Sequence, residues 1–170
     1  MTGIKGIALD VDGVLTDGGV WWGPGGEEWK RFSFTDIMGV SRARKAGIVM
    51  ALISGEDSPL VDRFAAKMGI IAIEKNCKDK ASALRRFAET SGLALSEICF
   101  MGDDINDLGA MKIAGLAAAP ANAQPVVQEC ASFISANLGG NGAVRELIET
   151  ILAARTADEA LQPVENAKTL

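Results

Sequence analysis

A chain of 170 residues, 48% hydrophobic, can bury one core of ordinary size and has little room for a second. Its net charge of −5 argues against a nucleic-acid surface, and no apolar stretch approaches the roughly 20 residues that span a bilayer. Histidine is absent, which removes Ser-His triads and histidine metal sites, and the three cysteines, 77, 99 and 130, form no Cys-x-x-Cys pattern, so they read as reduced thiols of a cytosolic protein.

The first predicted strand, near 5–10, runs into Asp10-Val-Asp12-Gly13-Val-Leu-Thr16-Asp17-Gly18. Residues i and i+2 of an extended chain share a face, so Asp10 and Asp12 emerge together at the strand's carboxyl end. Two acids held so close repel, and a cation, a transferred group or a proton must separate their roles. Taken alone, the segment also fits an Asp-rich turn that caps a helix. Residues 18–34 break the rhythm of the chain: two β-prone runs flank Gly23-Pro24-Gly25-Gly26, which predicts a hairpin carrying all three tryptophans, Trp21, Trp22 and Trp29, beside Phe32 and Phe34. So much aromatic surface on a short hairpin points to packing against another subunit, the plainer alternative being ordinary core packing.

Strands and helices then alternate. Helical periodicity covers 36–46, 57–68, 79–91, 105–114, 123–130 and 142–155, with strands near 49–53, 70–73, 97–102, 116–118 and 132–134. Gly47, Gly69, Gly92 and Gly115 stand near helix ends, where left-handed caps favour glycine. This is the pattern of an α/β, doubly wound parallel sheet with the first strand central and its carboxyl end at the ligand crevice. Residues 1–155 read as one domain and 156–170, with Pro163, as a tail that is mobile or fastened to a neighbour. The strand at 49–53 ends in Ser54-Gly55, Lys80 opens the helix at 79–91, and the strand at 97–102 ends in Gly102-Asp103-Asp104-Ile-Asn106-Asp107. Separately, Ser-Gly is a common turn and Lys80 an ordinary surface lysine. Together the acidic strand ends read as a magnesium site.

With Asp10-Val-Asp12-Gly-Val, Ser54, Lys80 and Gly102-Asp103-Asp104-x-x-Asp107 in this order, the chain resembles the haloacid dehalogenase superfamily of phosphohydrolases over roughly residues 4 to 150. The resemblance implies Asp10 as nucleophile, Asp12 as general acid and base, and Ser54, Gly55 and Lys80 as phosphate binders. It implies Mg²⁺ on Asp10, the Asp12 carbonyl and Asp103, with Asp104 and Asp107 as partners of the lysine, of water or of the metal's surroundings. No stretch could hold a separate cap domain, so the chain looks like the capless type, a homotetramer built by the hairpin in which a neighbouring subunit helps to close each site. Lys30-Arg31-Phe32, Asp36 with Gly39, and Gly139-Gly140-x-Gly142-Ala-Val-Arg145-Glu146 are similar to phosphatases of 3-deoxy-2-ulosonic acid phosphates, which act on 3-deoxy-manno-octulosonate 8-phosphate or on nine-carbon, sialic-acid-like 9-phosphates.

Some residues depart from the eight-carbon pattern: Glu56 where Arg is common, Thr35-Asp36 for an Arg-Asp pair, and Asn141 for an Arg. Gly18-Gly19, Glu28-Trp29-Lys30, Ser54-Gly55-Glu56 and Lys67 look more like the nine-carbon branch, which makes Glu56 and Lys67 specificity candidates. Their plain alternatives are a helix-start acid and a solvated lysine. Two further classes stay open: a phosphomutase or phosphotransferase sharing the aspartyl-phosphate chemistry, and a non-catalytic binding and assembly module.

Overall fold

The computed structural model describes residues 1–161. In chain order the elements are β1 (Gly6–Leu9), the hairpin strands β2 (Trp21–Trp22) and β3 (Glu28–Trp29), α1 (Phe34–Lys45), β4 (Val49–Ile53), α2 (Pro59–Met68), β5 (Ala72–Glu74) and α3 (Lys80–Ser91). There follow β6 (Ile98–Met101), α4 (Leu108–Met111), β7 (Leu116–Ala119), α5 (Pro125–Cys130), β8 (Phe133–Ile134) and α6 (Ala143–Leu161). The main sheet has the order β5-β4-β1-β6-β7-β8 and all of its pairs are parallel. The chain leaves β1 for β4 on one side and later returns to β6 on the other, so a crevice opens at the carboxyl end of β1. Leu9 lies level with Leu52 of β4 and Met101 of β6, which places Asp10 at the mouth of that crevice.

Both faces of the sheet are covered, and alternate residues of each central strand serve opposite faces. Ile7, Leu9, Cys99 and Met101 pack with Val40, Phe64, Leu147 and Ile151 on one side. Ala8 and Phe100 pack with Leu84, Phe87, Met111 and Val127 on the other. Each such large side chain contributes about 1.5–3 kcal/mol on burial.

The helix ends follow local chemistry. Ser58 caps α2, accepting the Leu60 N–H at 3.4 Å ahead of Pro59, and Asp79 caps α3, accepting the Ser82 N–H at 3.0 Å. Gly69 and Gly92 are left-handed caps as expected. Gly115 is not: its conformation is ordinary, but a Cβ there would stand 2.1 Å from the Ser96 carbonyl oxygen, so its smallness serves close backbone approach. The expected helix at 105–114 shrinks to a 3₁₀ turn, Ile105–Asp107, and the four residues of α4, with the side chains of Asp104 and Asp107 capping its start. In contrast α6 passes its expected end at residue 155 and runs to Leu161 through Ala-rich sequence; the rest of the expected tail, 162–170, lies outside the described residues.

The hairpin is short, pairing Trp21 with Trp29 and Trp22 with Glu28 around the glycine-rich tip. Phe32 does pack inward, stacked on Phe64 at 4.8 Å. The tryptophans do not: Trp21, Trp22 and Trp29 are 52%, 78% and 53% exposed, and Phe34 is 75% exposed. Among the described residues no larger insertion interrupts the alternation, and no separate cap covers the crevice.

Candidate active site

Asp10 extends β1 by one ladder bond, donating its N–H to the Met101 carbonyl at 3.0 Å, and its carboxylate is buried. Lys80, the first residue of α3, is buried against it. Its Nζ lies 2.9 Å from Asp10 Oδ1 and 2.6 Å from Asp107 Oδ1. Asp107 Oδ2 accepts the N–H groups of Asp103 and Asp104 at 2.9 and 3.2 Å, so one carboxylate fixes both the lysine and the loop after β6. Burial alone would lower the Lys80 ammonium, but Asp10 and Asp107 outweigh it and hold its pKa above the ordinary lysine value.

Carboxylate oxygens of Asp10, Asp103 and Asp107 lie within 4.8 Å of one another. Burial, then the charge of Asp107, pushes Asp10 up to about 8 and Asp103 up to about 7. Such a cluster is short of positive charge, and its hard oxygen donors match what Mg²⁺ takes, so the residues present fit the expected cation. Gly13, at φ +80°, lets Asp103 into place: a Cβ there would stand 2.0 Å from Asp103 Oδ2.

A cleft of about 240 Å³ opens over these groups, lined among others by Asp10, Asp12, Glu56, Asp103, Asp104 and Asn106. Ser54 is fully buried beneath it and accepts the Glu56 N–H at 3.1 Å, while Gly55 faces the cleft. Asp104 is exposed and accepts the Ile105 N–H at 2.7 Å. Lys67 stands apart, lining a separate groove under the hairpin with its Nζ 5.8 Å from the centre of the Phe34 ring. A larger, mostly apolar groove of about 450 Å³ against β4, β5 and α3 contains none of the sequence-predicted site residues.

Three contacts were not foreseen from sequence. Lys30, at the exit of the hairpin, lies 2.8 Å from Asp12 Oδ1. Asn122 bridges distant loops, donating to the Gly13 carbonyl at 3.3 Å and accepting the Gly139 N–H at 2.6 Å. Gly139 and Gly140 press directly on the loop after β1, where Gly140 donates to the Val14 carbonyl at 2.9 Å. Asn106, quoted in the motif but given no role, lines the cleft. The Gly139-Gly140 pair was the one visible signal, since adjacent glycines mark close backbone approach.

Residues 27–147 match the haloacid dehalogenase-like hydrolase family. The chain is 35% identical over 158 residues, 92% of its length and 84% of the relative's, to the 3-deoxy-D-manno-octulosonate 8-phosphate phosphatase of Escherichia coli K12. The Moraxella catarrhalis enzyme of that name, solved with magnesium, phosphate and KDO, superposes with a TM-score of 0.89 at 37% identity, covering 94% of this chain and 91% of that one. The cobalt-bound Haemophilus influenzae enzyme gives 0.89 at 32% identity, covering 96% of each chain.

Proposed function

The chain belongs to the haloacid dehalogenase-like hydrolases, and on that premise we propose that it is a magnesium-dependent phosphatase of a 3-deoxy-2-ulosonate phosphate. The eight-carbon 3-deoxy-D-manno-octulosonate 8-phosphate is the substrate its relatives favour. The observation that carries the reading is Asp10: a buried carboxylate at the carboxyl end of the central strand, 2.9 Å from Lys80 and clustered with Asp103. Glu56 in the cleft keeps a nine-carbon 9-phosphate as the second reading.

Asp10 attacks phosphorus, the ester P–O bond breaks, and Asp12 gives its proton to the departing sugar oxygen. Asp12, now ionised, takes a proton from water as that water attacks phosphorus, which releases inorganic phosphate and regenerates Asp10. Lys80, the Ser54 hydroxyl and the Gly55 amide hold the phosphoryl oxygens as charge shifts over them. Asp10, the Asp12 carbonyl and Asp103 would hold Mg²⁺, which when bound supplies positive charge to the phosphate and keeps Asp10 ionised. Asp107 orients Lys80. The exposed tryptophans favour a homo-oligomer, a tetramer by family resemblance, whose neighbouring subunits complete the sugar pocket.

Phosphate release from a panel of 3-deoxy-2-ulosonate phosphates, read as kcat/KM, tests this. The octulosonate ester should rank first, and Asp10→Asn should lose at least about 10⁴-fold, in line with removal of other catalytic nucleophiles. Phosphate moved between sugar positions rather than released would establish a mutase, and no turnover of any ester would leave a binding module.

A further inference from the structure

Lys30 is a long cationic side chain on an exposed hairpin, yet only 3% of that side chain is accessible. Solvated lysines cover most protein surfaces, and one withdrawn from water needs partners that offset the loss. It has two. Asp12 Oδ1 lies 2.8 Å away and Glu28 Oε1 3.5 Å away. Glu28 is itself held, accepting from the Ser58 hydroxyl at 3.0 Å and from Trp22 Nε1 at 3.4 Å. Among the described residues Asp12 makes no other ion pair, and neither of its buried carboxylate oxygens has a hydrogen-bond partner, so the charge contact of Lys30 is what distinguishes Oδ1 from Oδ2. One oxygen of this carboxylate is therefore ion-paired from the hairpin side and the other has no polar partner, in a residue that lines the cleft.

We propose that Lys30 is a positioning residue for the phosphatase reaction: it clamps Asp12 Oδ1 so that Oδ2 faces the leaving-group oxygen, with Glu28 and Ser58 holding the clamp. This rests on the reading of Asp12 as general acid and base. A purely mechanical anchor for the hairpin would need only a pairing with any acid of the body. Here the acid chosen is the one that handles the proton, and the hairpin becomes a part of each active site as well as an assembly surface. The far end of the chain of contacts is Trp22, 78% exposed, so whatever covers that ring also steadies Glu28 and, through it, Lys30.

The test compares Lys30→Met, Lys30→Arg and Asp12→Asn in single-turnover release of the leaving group from 3-deoxy-D-manno-octulosonate 8-phosphate and from p-nitrophenyl phosphate, with sedimentation velocity on each variant. A sugar alkoxide needs its proton on departure and a nitrophenolate hardly does. Lys30→Met should slow the sugar ester by on the order of 100-fold, the cost of a misplaced catalytic group, and the aryl ester by less than about 10-fold. KM for either ester should stay within about threefold, and Lys30→Arg should recover most of the loss because it restores the ion pair. If Lys30→Met does not fold, Glu28→Gln, which loosens the clamp without removing it, should show the same selectivity at on the order of 10-fold. Equal losses on both esters, or none on the sugar ester, overturn the proposal. Asp12→Asn separates the two layers: an unselective Asp12→Asn overturns the acid-base reading and the clamp with it, whereas a selective Asp12→Asn beside an unselective Lys30→Met overturns the clamp alone.

Discussion

Replacing Gly13 by alanine perturbs the candidate metal site through one added methyl group. Gly13 has φ +80°, and its new Cβ would lie 2.0 Å from Asp103 Oδ2 and 2.6 Å from Asp103 Cγ. Real contacts begin near 3.0 Å, so the carboxylate must retreat by about 1 Å, and a displacement of that size can cost on the order of 100-fold in rate. The fold should suffer far less, because the atom struck is the end of a side chain. Left-handed strain for alanine costs about 1–2 kcal/mol, which for a chain of this length lowers Tm by roughly 2–8 °C. Gly47→Ala isolates that strain: its φ is +77° and nothing lies within 4 Å of the added carbon. Magnesium activation curves and thermal melts on both variants should therefore diverge. Gly47→Ala should lose stability and keep wild-type activation, whereas Gly13→Ala should lose a comparable amount of stability and need on the order of 10-fold more magnesium. A Gly13→Ala enzyme with kcat and half-activation within about twofold of wild type would refute the packing of Asp103 on Gly13 as a determinant of the site.

Two further expectations concern charge and assembly. Because Asp10 and Asp103 rise from 3.8 to about 8 and about 7, the cation-free fold binds more protons than the unfolded chain, and their contribution to stability is present in full below about pH 4 and lost as pH climbs through 7 to 8. Magnesium binds the ionised forms, so the Tm increment between chelator-treated and magnesium-loaded protein should grow from about pH 5.5 to about pH 8.5; a pH-independent increment would contradict the cluster as the metal site. Trp21→Ser with Trp29→Ser removes a cross-strand pair that is half exposed in the single chain, and burial of such rings is worth about 1.5–3 kcal/mol each. Sedimentation velocity at micromolar concentration should show a smaller species than wild type, and an unchanged sedimentation coefficient would remove the hairpin from the interface.

The main sheet was legible because its strands are continuous apolar runs closed by glycine or acidic turns, and all six lie within two residues of their expected places. The shift at β5, expected at 70–73 and found at 72–74, arises because Ile70 and Ile71 look equally strand-like, yet the Ile70 N–H bonds back to Ala65 at the end of α2. Asp10, Lys80, Asp103 and Asp107 were legible as a set since each sits at a strand or helix end facing one crevice. Lys30 was not, because 18 residues and a chain reversal separate it from Asp12 and no periodicity records a pairing across an irregular loop. Asp36 was noted as a family residue without a cause; its buried carboxylate accepts the Gly142 and Arg145 N–H groups at 3.0 and 2.9 Å and so caps α6 from 106 residues away. Lys67, chosen by resemblance, lies outside the cleft of its own chain, which a list of motifs cannot reveal.

The contact of Gly139 and Gly140 with the loop after β1 also governs when that loop can settle. The loop that carries Asp12 and Gly13 is synthesised more than a hundred residues ahead of its supports, Asn122, Gly139 and Gly140. At about 5–20 residues per second, a nascent chain spends on the order of 10 s with Asp10 made and the loop after β1 unsupported. That loop therefore gains its last contacts only when Gly140 has left the ribosome, and a chain that stalls or is cut before Gly139 lacks them.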